Sequence, residues 1–180
     1  SVIGLLVPVV AAWQVYNIPA GVFAQKEIFG QTLEMMRVDK LSRVFALIFC
    51  IAAFFGNLYA WHVRDRVQQL AALFYSGSAL GAVFAGDLIT LFFYWEGTAI
   101  ASVFLIWARG TVGAYNTGLR YLIIQIMSGV ILLSGAALLW RETGSIVFDK
   151  MTLGSLGTWL IFISFGMKCA FPLMHNWLQD

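Results

Sequence analysis

Long apolar runs alternate with short polar interruptions along this chain, and the runs are too long for the helices of a water-soluble core. From Leu41 to Trp61 only Ser42, Arg43 and Asn57 are strongly polar. A helix of that length covers about 30 Å of hydrocarbon at 1.5 Å per residue. Read this way, the pattern predicts six apolar spans, approximately residues 2–16, 41–61, 68–85, 88–108, 117–140 and 155–178. The expected fold class is therefore all-α, a polytopic transmembrane helix bundle, with the last span interrupted near Pro172. Residues 17–40 break the pattern: VFAQKEIFGQTLEMMRVD mixes apolar and charged positions around Gly30, which predicts short strands or an irregular connection outside the membrane. The other connections are short, so neighbouring helices should run antiparallel, and the turn at Gly86 and Asp87 is especially tight.

Composition agrees. With 61% hydrophobic and 11% charged residues the chain has too few polar groups to cover a solvated surface, so it reads as an integral membrane protein. A net charge of +2, with no Lys/Arg cluster on a polar face, argues against a nucleic-acid partner. Cys50 and Cys169 lie inside apolar runs and read as small fillers rather than a disulfide. The sequence contains neither a metal-ligand cluster nor a dinucleotide fingerprint, so no cofactor and no redox chemistry of its own are expected. The chain opens on Ser1 and reads as a segment of something longer, and residues 2–15 lack the basic flank of a signal peptide.

Arg64 and Arg66, and Arg109 and Arg120, flank two connections, and the positive-inside rule assigns residues 62–67 and 109–116 to the cytoplasm. The 17–40 connection carries both signs of charge and leaves its own side open. Trp61, Trp107 and Trp140 fall at predicted helix ends, where amphipathic rings suit the headgroup layer. Small residues at Ala52, Gly56 and Ala60, and at Gly77 and Gly81, form stripes along which helices could pack closely.

Two ionisable residues sit at bilayer depth. Glu96 is nine residues beyond Asp87 and thirteen separate Ser155 from Lys168, placing them about 13.5 and about 20 Å along their helices. Thr90, Tyr94, Thr98 and Ser102 give Glu96 polar company, and Ser164 precedes Lys168 by one turn. Opposite charges held together in hydrocarbon favour each other's charged form, whereas separation favours neutralising each, so the pair reads as a proton switch. A static bridge between helices is the plainer alternative. Pro172 has no N–H for the carbonyl of Lys168, four residues earlier, so the helix should break at the lysine.

His175 follows by about two turns and suits either a proton relay or structural hydrogen bonding. Arg120 fits snorkelling to the cytoplasmic surface or gating near Glu96. Gln125 and Ser128 could extend a polar file inward or bond neighbouring helices, and His62 reads as solvated.

GDLITLFFYWEG (86–97), GLRYLIIQIMSGVILLSGAALL (118–139) and GMKCAFPLMHNWLQD (166–180) together resemble the antiporter-like ion-translocating subunits. That family is shared by respiratory complex I, membrane-bound hydrogenases and the multisubunit Mrp cation/proton antiporters. Its most specific marks are the WE in one helix, a lysine two helices later, and HxWL seven residues beyond that lysine. The resemblance covers most of the chain, corresponding to the family's second through seventh helices. It implies part of a fold of about fourteen helices built from two inverted repeats, each with an interrupted helix. By similarity Glu96 and Lys168 are the coupled acid and base of proton translocation, and His175 is the histidine that follows. The implied activity is proton or Na+/H+ translocation within a multisubunit membrane complex, in a bacterial or archaeal cytoplasmic membrane. Any oxidoreductase activity would belong to the complex. Gln179 departs from the family's usual proline. The readings from other classes are a secondary transporter of an organic solute, whose broken helix end would cradle substrate, and a structural membrane subunit.

Overall fold

The structure, a computed structural model, describes residues 2–28 and 30–172. Six helices and one antiparallel hairpin are present among them: α1 Val2–Asn17, β1 Gly21–Ile28, β2 Gln31–Val38, α2 Lys40–Tyr59, α3 Arg66–Phe84, α4 Leu88–Trp107, α5 Val112–Thr143 and α6 Leu156–Lys168. Four of these, α2 with its 3-10 extension to His62, α3, α4 and α5, are long and apolar enough to cross a membrane. The helices at the two ends, α1 and α6, are shorter apolar helices of 16 and 13 residues.

Each helix packs on its neighbour in sequence, from α1 against α2 through to α5 against α6. The starts are written locally: Asp39, Asp65, Asp87, Thr111 and Ser155 each accept a backbone N–H from the first turn of α2 to α6 respectively. Ser42 and Thr158 close reciprocal capping boxes with Asp39 and Ser155. The Ser42 backbone N–H, foremost among several donors, holds the Asp39 carboxyl below the usual carboxylate range.

Two apolar clusters hold the helices together. Leu88, Leu132, Ala136, Leu139 and Ile161 join α4, α5 and α6. Val15, Val38, Ala46 and Phe84 join α1, the hairpin, α2 and α3. The predicted small-residue stripes act only in part: a Cβ on Gly81 would overlap the Tyr94 ring of α4, but nothing lies within 4 Å of where one would stand on Gly56 or Gly77. Ala52, Gly56 and Ala60 instead line a cleft of about 410 Å³ between α2 and α3. Helices α5 and α6 approach closely at Gly135 and Gly157, where they meet backbone to backbone and a Cβ on either would stand about 3 Å from the other's carbonyl.

The 17–40 connection folds as the hairpin, with Gly21 paired to Val38 and Ile28 to Gln31. It is latched to the Gly86–Asp87 turn. Asp87, wholly buried, accepts from the Glu34 N–H (2.8 Å), the Thr90 N–H and the Thr90 hydroxyl (both 2.7 Å). Gly86 donates to the Glu34 carbonyl (2.9 Å) and accepts from the Phe148 N–H (3.0 Å), while Arg37 donates to the Phe148 carbonyl (3.0 Å). The hairpin, the α3–α4 turn and the α5–α6 loop therefore gather at one end of the bundle.

Several expected boundaries move. Helix α5 runs from Val112 to Thr143, beyond the anticipated 117–140 at both ends, because Thr111 caps its start and Gly144, at φ 74°, ends it. Residues 112–116, read as loop, are its first turn and more. The sixth span differs most. Helix α6 stops at Lys168, four residues before Pro172, in a Schellman turn: Ala170 donates to Met167 (3.3 Å) and Phe171 to Gly166 (2.9 Å). Ala170 takes the left-handed φ of 53° that glycine normally occupies, and the Phe171 ring lies over Gly166. Residues 173–178 of the expected span lie outside the described residues.

Candidate functional site

Helices α4, α5 and α6 bring Glu96, Gln125 and Lys168 of the expected site residues into one layer, Gln125 buried and the other two half-buried. Glu96 stands eight residues into α4, about 12 Å from the helix start. Its Oε1 is buried without a protein hydrogen-bond partner and lies against Gly129 of α5, in space that any side chain there would fill. Lys168 is the last residue of α6, and its stem leans back toward the start of that helix as helical side chains do. The ammonium thereby meets Trp95 twice, 3.4 Å from its carbonyl oxygen and 5.0 Å from the centre of its ring.

The ion pair that the described residues do contain, Arg37 with Glu34 at 3.9 Å, belongs to the hairpin. Glu96 and Lys168 are thus neighbours on one layer without touching: the lysine rests on the residue before the glutamate. Trp95 is itself fixed, its ring packed on Phe165 of α6 at 4.8 Å between centroids. Its carbonyl also accepts the Thr98 hydroxyl at 2.7 Å, and Ser102 donates to the Thr98 carbonyl at 2.8 Å.

A file of buried polar groups runs alongside. Ser164 of α6 donates across to the Ser128 carbonyl of α5 (2.7 Å), and Ser128 donates to the Gln125 carbonyl (2.7 Å). The Gln125 Oε1, like that of Glu96, is buried without a protein donor. Four residues separate Gln125 from Gly129, so both occupy one face of α5. Leaving such acceptors dry is costly, about 1–3 kcal/mol each.

The remaining candidates separate from this cluster. Arg120 is exposed on α5, five residues before Gln125. Pro172 is exposed beyond the α6 cap, and His175 lies outside the described residues. His62 is exposed, its Nδ1 3.2 Å from the Tyr59 carbonyl. Cys50 is buried as an apolar filler, but Cys169 is exposed at the end of α6, because it caps the helix rather than continuing it. Among the described residues no group of three or more His, Cys, Asp or Glu converges on a possible metal site. Sequence reasoning quoted Trp95 only as half of the WE mark, with no role of its own, and passed over Gly129. Their signals were adjacency to Glu96 and a glycine beside Ser128, neither of which marks a partner until the helices are packed.

The family described as "NADH:quinone oxidoreductase/Mrp antiporter, TM" matches residues 85–180, more than half of the chain and all of α4 to α6. One subunit of the Na(+)/H(+) antiporter of Alkalihalophilus pseudofirmus is 31% identical over 79% of this chain and 20% of its own length. The M subunit of the NADH-quinone oxidoreductase of Pseudomonas aeruginosa is 26% identical over 81% of this chain and 33% of its own. Among solved structures, respiratory complex I from Thermus thermophilus matches 97% of this chain and 39% of the aligned polypeptide, with a TM-score of 0.77 at 24% identity, a likeness of fold. The chain spans about a fifth to a third of the length of these two relatives.

Proposed function

The chain belongs to the NADH:quinone oxidoreductase/Mrp antiporter transmembrane family, and from that premise we propose that it translocates protons, alone or in exchange for Na+, as part of a multisubunit membrane assembly. Glu96 and Lys168 are the coupled acid and base, and His175 is the next group in the relay. The observation that carries this reading is the Lys168 ammonium on Trp95, one residue from a Glu96 carboxylate whose buried oxygen has no protein donor.

The chemistry follows from charge in a poor solvent. Moving Lys168 onto Glu96 lets the two charges compensate, and moving it away leaves each to bear its own desolvation cost. Proton uptake or release relieves that cost. One proton crossing 100 mV requires about 2.3 kcal/mol, within reach of rearranging a single buried pair. Gln125, Ser128 and Ser164 supply a polar lining for the passage. A cavity of about 400 Å³ lined by Glu142, Asp149, Lys150 and Thr158 offers an aqueous mouth at the hairpin end.

In this reading all six helices belong to membrane spans, and residues 1–180 form a partial transmembrane domain of a larger inverted-repeat fold. Lys168 stands where α6 ends, at the break expected of the sixth span. The hairpin lies outside the membrane, on the side opposite the basic connections around residues 62–67 and 108–111, which face the cytoplasm of a bacterial or archaeal cell.

The test is Glu96→Gln and Lys168→Ala in the full protein within its assembled complex, reconstituted in vesicles with a pH-sensitive dye. Each variant is expected to lose at least nine-tenths of translocation while assembly persists. Normal translocation by assembled variants removes the proposal, and loss of assembly in both assigns the pair a packing role.

A further inference from the structure

Trp95 presents two acceptor surfaces to the same ammonium. Its ring face lies 5.0 Å from Lys168 Nζ, within the range at which an aromatic quadrupole attracts a cation. Its carbonyl oxygen lies 3.4 Å away. The ring cannot easily turn aside, because Phe165 of α6 packs on it and both rings join the apolar cluster of Leu88, Leu132 and Ile161. On the other side Glu96 occupies its own place against Gly129. Acid and base are therefore each seated, next to one another and out of contact.

We propose that Trp95 is a positioning residue, whose ring face and carbonyl form a second seat for the Lys168 ammonium, one residue from Glu96, to which the lysine returns whenever it leaves the carboxylate. This rests on the translocation reading above and adds to it a definite place for the lysine in the separated state. A pump that works by separating a charge pair in hydrocarbon needs such a place, since an ammonium with nowhere to go stays on its carboxylate. The carbonyl is common to every residue type at this position. The ring is the part that residue identity supplies, and it is the part an experiment can tune.

Progressive ring fluorination withdraws electron density from the face with little change of shape. Mono-, di- and trifluorotryptophan are placed at position 95 of the full protein in its complex, and translocation is measured per assembled complex in vesicles. Turnover is expected to fall stepwise, by about two- to thirtyfold across the series, the range spanned by cation–π interactions between exposed and desolvated sites. A ring that only packs would be indifferent to fluorination, and a flat or rising series overturns the proposal. Glu96→Gln and Lys168→Ala are measured in parallel. If these abolish translocation and the fluorinated series is flat, the second seat alone is wrong. If these translocate normally, the translocation reading and the seat fall together.

Discussion

At the scale of single residues, Gly129 and Glu96 show how an absent side chain can place a present one. The carboxylate reaches α5 because position 129 offers no Cβ, and a methyl group there would overlap Oε1. Adding one methyl in a packed interior costs about 1–3 kcal/mol, which a bundle of this size survives while the carboxylate moves. Gly129→Ala is therefore expected to assemble normally and to lower translocation tenfold or more in the vesicle assay. Gly113→Ala, on the same helix where nothing lies within 4 Å, should leave both unchanged. Equal effects from the two would show that Gly129 matters only as a helical residue. The sequence marked Glu96 and Lys168 through charge alone, since an ionisable group in an apolar span stands out whatever its partners. Gly129 carries no such mark, and Trp95 stood out only as half of the WE pair.

At the scale of elements, α6 shows why endings are harder to read than interiors. The missing N–H of Pro172 set a break at Lys168 from sequence, and α6 ends at that residue, but through a turn made by Ala170, Phe171 and Gly166 that the sequence did not announce. Alanine in the left-handed region costs about 1–2 kcal/mol relative to its preferred conformations. Ala170→Gly is accordingly expected to stabilise the full protein by about 1 kcal/mol, raising its melting temperature in detergent without impairing translocation. An unchanged or lowered melting temperature would mean the cap carries no strain. The same lesson holds at α5, where the apolar pattern found the helix but missed the turns contributed by Val112 and Arg141. Caps are made by hydrogen bonds from one or two residues, while hydropathy averages over many.

At the scale of the whole molecule, the hairpin sits where three connections meet. Charge counting left its side of the membrane open. The bonds from Asp87 to Glu34, and from Gly86 to Glu34 and Phe148, tie it to the α3–α4 turn and the α5–α6 loop. The basic connections after α2 and after α4 lie at the other ends of those helices. In a variant of the full protein with Cys50 and Cys169 replaced by serine, Lys26→Cys on the hairpin and Arg64→Cys after α2 should react with an impermeant thiol reagent from opposite faces of sealed vesicles. Labelling of both from one face would contradict this topology.

Sequence by itself determined the membrane class, the six helical segments, the break in the apolar pattern at the first connection and the two ionisable residues within apolar helices. Each of these is a property of local composition, repeated over many positions or forced by the cost of charge in oil. Only the tertiary structure decided that Lys168 rests on Trp95 rather than on Glu96, that Gly129 makes room for the carboxylate, and that Asp87 latches the hairpin to the bundle. Those are contacts between segments far apart in the chain, fixed by helix packing and side-chain direction, which no local pattern encodes.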